Sequence, residues 1–318
     1  MKIKQIYLTV LFFPFFVHAS IFNSSSIVHP KVHKNGMVVS QHYLASSVGA
    51  QILKDGGNAY DASIAVAFAL AVVLPRAGNI GGGGFMVMYD EKTNKTFSID
   101  YREKAPALAS KDMYLNVDGT VNKKRAREGI LSIGVPGTVY GMWEVHKKFG
   151  SLPWKKLLEP AVRLAEEGFF MSPFMVDALN KRYKKLSNYK NFKEIFYKDF
   201  PVQMNKRLFQ LELAETLKII SKKGVNGFYE GEVADKIVSD MKNRKGLISL
   251  KDLKNYRPVW REPLKGNFKE YEIVTMAPPS SGGIHIIQML NILENFNLEE
   301  LGHNSAAYAS LLSEVMKF

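Results

Sequence analysis

The feature that most constrains this chain is a run of four glycines at 81–84, followed shortly afterwards by a charged segment. Glycine has no Cβ, so four in a row let the backbone pass where no side chain fits. The later segment reads Asp100-Tyr101-Arg102-Glu103 and places one guanidinium between two carboxylates. An arginine held in this way can bind a carboxylate through two parallel hydrogen bonds. A close-packed loop and a structural ion pair are the alternative explanations for the glycines and for Arg102.

Apolar periodicity predicts both helices and strands, with a mainly helical middle. The second predicted helix is capped by Asn58 or Asp61 and runs to Val73. The other predicted helices are 44–53, 137–148, 154–167, 208–222, 232–242, 285–294 and 305–318. The predicted strands are 37–40, 85–89, 96–100 and 271–276, and the middle two form a hairpin joined near 92–94. This order puts Arg102 just past a strand end, where site residues of layered folds usually lie. We find no linker that would divide the chain into two domains.

Residues 1–19 are typical of an export signal. Lys2 and Lys4 precede an apolar run over 6–17, and Val17-His18-Ala19 forms a small-x-small cleavage site. The apolar run is too short for a membrane helix, which takes about 20 residues, so a retained anchor is the weaker alternative. We expect cleavage after Ala19, a mature domain over 20–318 without a membrane span, and a periplasmic or secreted location.

Composition excludes several classes of site. The chain contains no cysteine, which rules out disulfides, thiolate nucleophiles and cysteine metal sites. Hydrophobic residues make up 46% of the chain, enough to build a core without disulfides. The net charge of +13 comes largely from lysine-rich segments, which we interpret as solvated faces. Nucleic-acid binding needs aromatic residues for base stacking among the basic ones, and that pattern is faint here. We expect no nucleic-acid partner, and attraction to an anionic envelope is the better explanation.

Other catalytic motifs fail on spacing. A phosphate-binding loop needs lysine directly after its last glycine, but Phe85 follows here, and a dinucleotide site needs a strand before its glycines. The histidines do not cluster into a metal site, and the chain has no Gly-x-Ser-x-Gly nucleophile turn. We therefore expect no metal and no cofactor, and we interpret Ser280 and Ser281 as part of a turn.

The glycine run and the Arg102 segment belong to an ordered series of short motifs that resembles the gamma-glutamyltransferases, or glutathione hydrolases. No single motif is specific, but their order is, and they extend from Met37 to the last residue. The motifs are Asp55-Gly56-Gly57-Asn58-Ala59-Tyr60-Asp61-Ala62, Gly81-Gly82-Gly83-Gly84-Phe85-Met86, Asp100-Tyr101-Arg102-Glu103, Gly134-Val135-Pro136-Gly137-Thr138, Leu152-Pro153-Trp154, Arg163-Leu164-Ala165-Glu166-Glu167-Gly168, Gly227-Phe228-Tyr229-Glu230-Gly231 and Pro278-Pro279-Ser280-Ser281-Gly282-Gly283.

The resemblance implies an N-terminal-nucleophile hydrolase, whose α+β fold is a four-layer αββα sandwich built from two subunits. In that family a precursor cleaves itself, and the new N-terminal threonine of the small subunit attacks the γ-glutamyl amide of glutathione. The threonines of this chain all lie outside the family's pattern of two threonines followed by histidine: Thr9, Thr93, Thr96, Thr120, Thr138, Thr216 and Thr275. We therefore expect most of a large subunit, cut short at its C-terminal end and lacking the small-subunit half of the sandwich. No catalytic residue is expected in this chain.

The same resemblance assigns substrate contacts and partners. Arg102 matches the arginine that binds the α-carboxylate of the γ-glutamyl group, with Asp100 and Glu103 orienting its guanidinium and the glycine run packing beneath it. The implied partners are a small catalytic subunit and glutathione or other γ-glutamyl compounds, and this chain alone is expected to be inactive. Two alternatives stay open: a related cephalosporin-type acylase, and an exported remnant without catalytic function.

Overall fold

The computed structural model describes residues 32–318, so the predicted signal at 1–19 lies outside the described residues. The chain divides into two units, Met1–Met37 and Val38–Phe318, and every helix and strand named below belongs to the second. Within residues 32–318, no helix has the length and hydropathy needed to cross a membrane.

Two helices open the second unit, as the sequence predicts. α1 covers Tyr43–Lys54 and α2 covers Ala59–Val73. The predicted strand at 37–40 is wrong, because that segment pairs with no other strand among the described residues. Val39 is 82% exposed, and an extended segment without a ladder partner is not a strand.

A buried carboxylate fixes the start of α2. Asn58 caps the helix and its backbone N–H donates to Asp61 Oδ2 at 3.1 Å, completing a capping box. Asp61 is fully buried, and it also accepts hydrogen bonds from the Ser151 hydroxyl at 2.5 Å and from the backbone N–H of Leu152 at 3.3 Å. The same carboxylate therefore caps α2 and anchors the loop that precedes the helix beginning at Trp154.

The predicted hairpin forms and gains a third strand. β1 (Phe85–Asp90) pairs antiparallel with β2 (Lys95–Asp100), with Met86 opposite Ile99. A distant strand then pairs antiparallel with the other edge of β2, placing Val259 opposite Asp100. That distant strand is not predicted from the sequence, because three residues are too few to show periodicity.

Helices make up the middle of the chain. Gly168 and Gly224 follow two of the predicted helices with φ of 69° and 61°, which is the left-handed region that favours glycine at a helix end. The elements from Lys123 to Asn255 are α3 (Lys123–Arg127), a 3-10 turn (Ile130–Ser132), α4 (Thr138–Phe149), α5 (Trp154–Glu167), β3 (Phe169–Phe170), α6 (Pro173–Lys181), α7 (Tyr183–Leu186), α8 (Lys190–Phe196), β4 (Arg207–Leu208), α9 (Leu211–Lys223), α10 (Asn226–Tyr229), α11 (Gly231–Asn243) and α12 (Leu250–Asn255).

The last part of the chain adds a second hairpin and three helices. These elements are β5 (Val259–Arg261), β6 (Leu264–Phe268), β7 (Tyr271–Thr275), α13 (Gly282–Leu293), α14 (Leu298–Leu301) and α15 (Ala306–Val315). β5 is the third strand of the first sheet, while β6 and β7 pair with each other. The architecture is α+β, as predicted, and its core lies where α2 packs against α1, α4 and α5.

A buried histidine begins α1. His42 is 6% exposed, its Nδ1 accepts the backbone N–H of Leu44 at 3.3 Å, and its ring stacks on Tyr43 with centroids 5.1 Å apart. Because Nδ1 accepts, the neutral ring carries its proton on Nε2, which has no hydrogen-bond partner among the described residues. Burial lowers the pKa of His42 from its ordinary value of 6.5.

We expect the free energy of unfolding to fall as the pH drops from 7.5 to 5.5, in part through His42. The unfolded chain protonates His42 near pH 6.5, whereas the folded chain protonates it only at a lower pH. The contribution of the buried neutral His42 to the free energy of unfolding is therefore complete above pH 6.5 and is lost as the pH falls below that value. Urea denaturation of the wild type and of His42→Asn, which keeps a capping side chain, measures it. The free energy of unfolding of the variant should depend less on pH than that of the wild type. Equal slopes of this free energy against pH in the two proteins would contradict the role given to His42.

Candidate functional site

The backbone of Arg102 is held at both of its polar groups. Arg102 lies two residues past Asp100, the last residue of β2, as predicted. Its N–H donates to Asp100 Oδ1 at 3.0 Å, and its carbonyl accepts the hydroxyl of Tyr256 at 2.8 Å. Because both groups are bonded, the point from which the Arg102 side chain departs is fixed.

Asp100 pairs with an arginine other than the expected one. Its Oδ2 accepts from Arg261 Nε at 3.0 Å and from Arg261 Nη2 at 2.8 Å, and Asp100 is only 8% exposed. We expected Asp100 and Glu103 to hold the guanidinium of Arg102, but within residues 32–318 neither carboxylate forms an ion pair with it. The reason is the register of β5, which places Arg261 opposite Ser98 and so diagonal to Asp100 on the same face.

The Arg102 side chain is exposed and carries an uncompensated charge. Its guanidinium carbon lies 5.7 Å from the centroid of the Phe85 ring, and the residue is exposed to solvent. Among the described residues no carboxylate occupies its donors. A guanidinium with free donors on a fixed backbone is suited to bind a carboxylate that arrives from solution.

The glycine run packs directly against the Arg102 segment. A Cβ on Gly83 would lie 2.5 Å from the carbonyl oxygen of Tyr101 and 2.8 Å from Cα of Arg102. On the other side, the carbonyl of Gly82 accepts the backbone N–H groups of Gly137 at 2.8 Å and of Thr138 at 3.0 Å. The run therefore joins the end of β2 to the start of α4, and no larger residue than glycine fits at position 83.

Two tyrosines enclose this backbone. The Tyr101 hydroxyl donates to the carbonyl of Phe85 at 3.3 Å, and burial raises its pKa to about 12. Burial, followed by the charges of Asp100 and Glu103, raises the pKa of Tyr256 further. Both phenols remain protonated at neutral pH, so they act as hydrogen-bond donors and not as bases.

The two serines that the sequence assigns to a turn, Ser280 and Ser281, lie in the turn before α13. Within residues 32–318 no group of three histidine, aspartate or glutamate side chains is arranged to hold a metal ion. Tyr256 and Arg261, which fix the Arg102 segment, are not found by sequence reasoning, because both act from a stretch distant in the chain and without a motif.

The family model described as Gamma-glutamyltranspeptidase matches residues 45–318 of this chain. The chain belongs to the gamma-glutamyltranspeptidase family. The glutathione hydrolase proenzyme of Escherichia coli K12 is 43% identical over 295 residues, covering 92% of this chain and 50% of that protein. The crystal structure of the Helicobacter pylori gamma-glutamyltranspeptidase superposes with a TM-score of 0.88 at 42% identity, covering 91% of this chain and 83% of that one.

Family membership confirms the predicted fold, a partial αββα sandwich of the N-terminal-nucleophile hydrolase type. The acylase ACY 1 proenzyme of Pseudomonas sp. strain V22 is also similar, at 37% identity over 91% of this chain and 53% of that protein. This chain spans about half the length of the curated relatives it matches.

The glycine run offers a matched pair of substitutions. Gly83→Ala places a methyl group against backbone, so we expect it to lose about 3 kcal/mol of the free energy of unfolding. A Cβ on Gly81 meets nothing closer than Asn79 Oδ1 at 3.8 Å, and neither glycine has a positive φ. Gly81→Ala should therefore lower the free energy of unfolding much less than Gly83→Ala does. Urea denaturation of both variants checks this, and equal losses would show that the close contact is relieved at little cost.

Proposed function

We propose that this chain is the substrate-binding part of a gamma-glutamyltranspeptidase that transfers or hydrolyses the γ-glutamyl group of glutathione and related amides. The proposal rests on the environment of Arg102. Its backbone N–H and carbonyl are both hydrogen-bonded, while its side chain is exposed and has no carboxylate partner among the described residues. Arg102 binds the α-carboxylate of the γ-glutamyl group through two parallel hydrogen bonds.

The supporting residues act on Arg102 through its backbone. Asp100 accepts the Arg102 N–H and is neutralised by Arg261 at 2.8 Å, so it does not compete for the guanidinium. Tyr256 holds the following carbonyl. Glu103 is exposed next to Arg102 and forms no ion pair with its guanidinium among the described residues. Because Asp100 and Tyr256 bond to the backbone of Arg102 and not to its guanidinium, the guanidinium donors are available to the substrate.

The nucleophile is supplied from outside this chain. A threonine hydroxyl attacks the γ-glutamyl carbonyl, its own amino group takes the proton, and the amine of the donor leaves; water or an acceptor amine then releases the acyl group. The described threonines lie in strands, helices and turns outside the motif that this chemistry uses. A catalytic subunit is the partner in this proposal.

An exposed apolar face supports the need for that partner. α13 leaves Ile284 45% exposed, Phe296 just beyond the helix is 44% exposed, and both line one open groove together with Ile287 and Ile292. Contiguous apolar surface of this kind marks protein–protein contacts. The homologous proenzymes are about twice as long as the match, so they contain further sequence that can cover such a face.

A cephalosporin-type acylase is the second candidate function, favoured by the similarity to the acylase ACY 1 proenzyme. Both candidates use the same chemistry and differ in the acyl group that is accepted. An exposed guanidinium is needed for a substrate with a free α-carboxylate, so comparing γ-glutamyl amides with amides that lack this carboxylate separates the two. Preference for the γ-glutamyl amides favours the first.

In the enzyme assembled with its catalytic subunit, Arg102→Ala should fold and mature but lose kcat/KM for γ-glutamyl anilides. Loss of one partner of a desolvated charge pair costs about 2–5 kcal/mol, which is roughly 30-fold to several-thousand-fold. Arg102→Lys should be damaged too, because lysine keeps the charge without the fork. Steady-state kinetics with a chromogenic anilide measures both.

A matched control is Lys95→Gln, which removes an exposed cation from the opposite end of β2. This variant should keep near-normal kinetics. If Arg102→Ala failed to mature, or matured with kinetics like those of Lys95→Gln, the carboxylate-binding role would be wrong.

The 318-residue chain by itself should show neither self-cleavage nor γ-glutamyl transfer. The physical reason is that no threonine within it lies in the sequence context that generates the nucleophile. A chromogenic γ-glutamyl anilide assay, with gel analysis for cleavage, checks this. Steady release of the chromophore by the pure chain would refute the need for a second subunit.

A further inference from the structure

A cavity of about 560 Å³ lies between the end of α2 and the helices α6, α7 and α8. This volume falls within the range of small-molecule sites, about 300–1,000 Å³. Its walls are aliphatic and aromatic side chains from four segments of the chain: Leu74, Phe174, Leu179, Leu186, Phe192 and Phe196. Nothing from the Arg102 segment contributes to the lining, so this cavity is separate from the candidate functional site.

Within residues 32–318, two arginines are the only charged side chains that line the cavity. Arg76 follows α2 and its guanidinium carbon lies 4.7 Å from the centroid of the Phe174 ring, while Arg182 lies between α6 and α7. Both residues line the cavity and are exposed to solvent, so they form part of its solvent-facing mouth. Within residues 32–318 neither guanidinium forms an ion pair with a carboxylate.

The acidic residues on the neighbouring helices pair with lysines of their own helix and not with Arg76 or Arg182. On α6, Asp177 pairs with Lys181 at 2.9 Å, and on α8, Glu194 pairs with Lys190 at 4.0 Å. The cavity therefore combines an apolar interior with an uncompensated positive mouth. An apolar interior gains free energy by taking an apolar group out of water, and a guanidinium favours a carboxylate or another planar oxyanion.

We propose that this cavity binds an amphipathic anion, a single carboxylate carried on an aliphatic or aromatic tail. The tail lies against the leucine and phenylalanine walls, and the carboxylate lies between Arg76 and Arg182. The proposal is independent of the γ-glutamyl chemistry, because it uses none of the residues around Arg102.

Isothermal titration calorimetry of the assembled enzyme with decanoate, below its micelle concentration, tests the proposal. We expect saturable binding at one site. Decyltrimethylammonium and decanol carry the same tail with a positive charge or none, and each should bind at least about tenfold more weakly, since a hydrogen bond to a charged group is lost. Equal binding of the cationic ligand, or no saturable binding of decanoate, would overturn the proposal.

Variants separate the cavity from the general basic surface. Arg76→Gln and Arg182→Gln should each weaken decanoate binding about tenfold, while Lys184→Gln, an exposed lysine that does not line the cavity, should not. Ala178→Phe fills the interior and should abolish binding. If the lysine variant weakened binding as much as the arginine variants, or acetate competed as well as decanoate, the ligand would be held by surface charge alone and the cavity would be excluded.

Discussion

The close approach of the glycine run to the end of β2 is the contact on which the rest of the candidate site depends. Gly83 lies against the backbone of residues 101–103 with no room for a Cβ. Gly137 is tighter still, because a Cβ there would lie 1.9 Å from the Tyr101 carbonyl oxygen. Backbone packed this closely between two glycine segments has little room to shift, which fixes the position of the segment that carries Arg102.

The ion pair next to this segment follows from the burial of Asp100. Asp100 is almost fully buried and needs a compensating partner, which Arg261 provides from β5. Arg102 stands two residues further on, outside the sheet, and remains exposed. The two arginines therefore differ: Arg261 neutralises a structural carboxylate, while Arg102 forms no ion pair among the described residues and is the one for which we propose a carboxylate from solution.

Local features of the fold were predictable wherever the signal lies within one element. The cap of α2 at Asn58 or Asp61, the hairpin of β1 and β2, and the glycine ends of α5 and α9 follow from turn, cap and periodicity rules, although only the structure shows that Asn58 and Asp61 cap the helix together. The strand predicted at 37–40 failed because its apolar residues alone cannot create a pairing partner. β5 was missed for the opposite reason, since its partner exists but its three residues carry no pattern.

The sequence by itself determined the family, the α+β class and the position of Arg102 just past a strand, because ordered motifs and local periodicity are written along the chain. Tertiary structure alone decided which groups surround Arg102. Asp100 pairs with Arg261 across 161 positions, and Tyr256 reaches the Arg102 carbonyl across 154. Such contacts depend on strand register and close packing, which are set by the whole fold and not by any local segment.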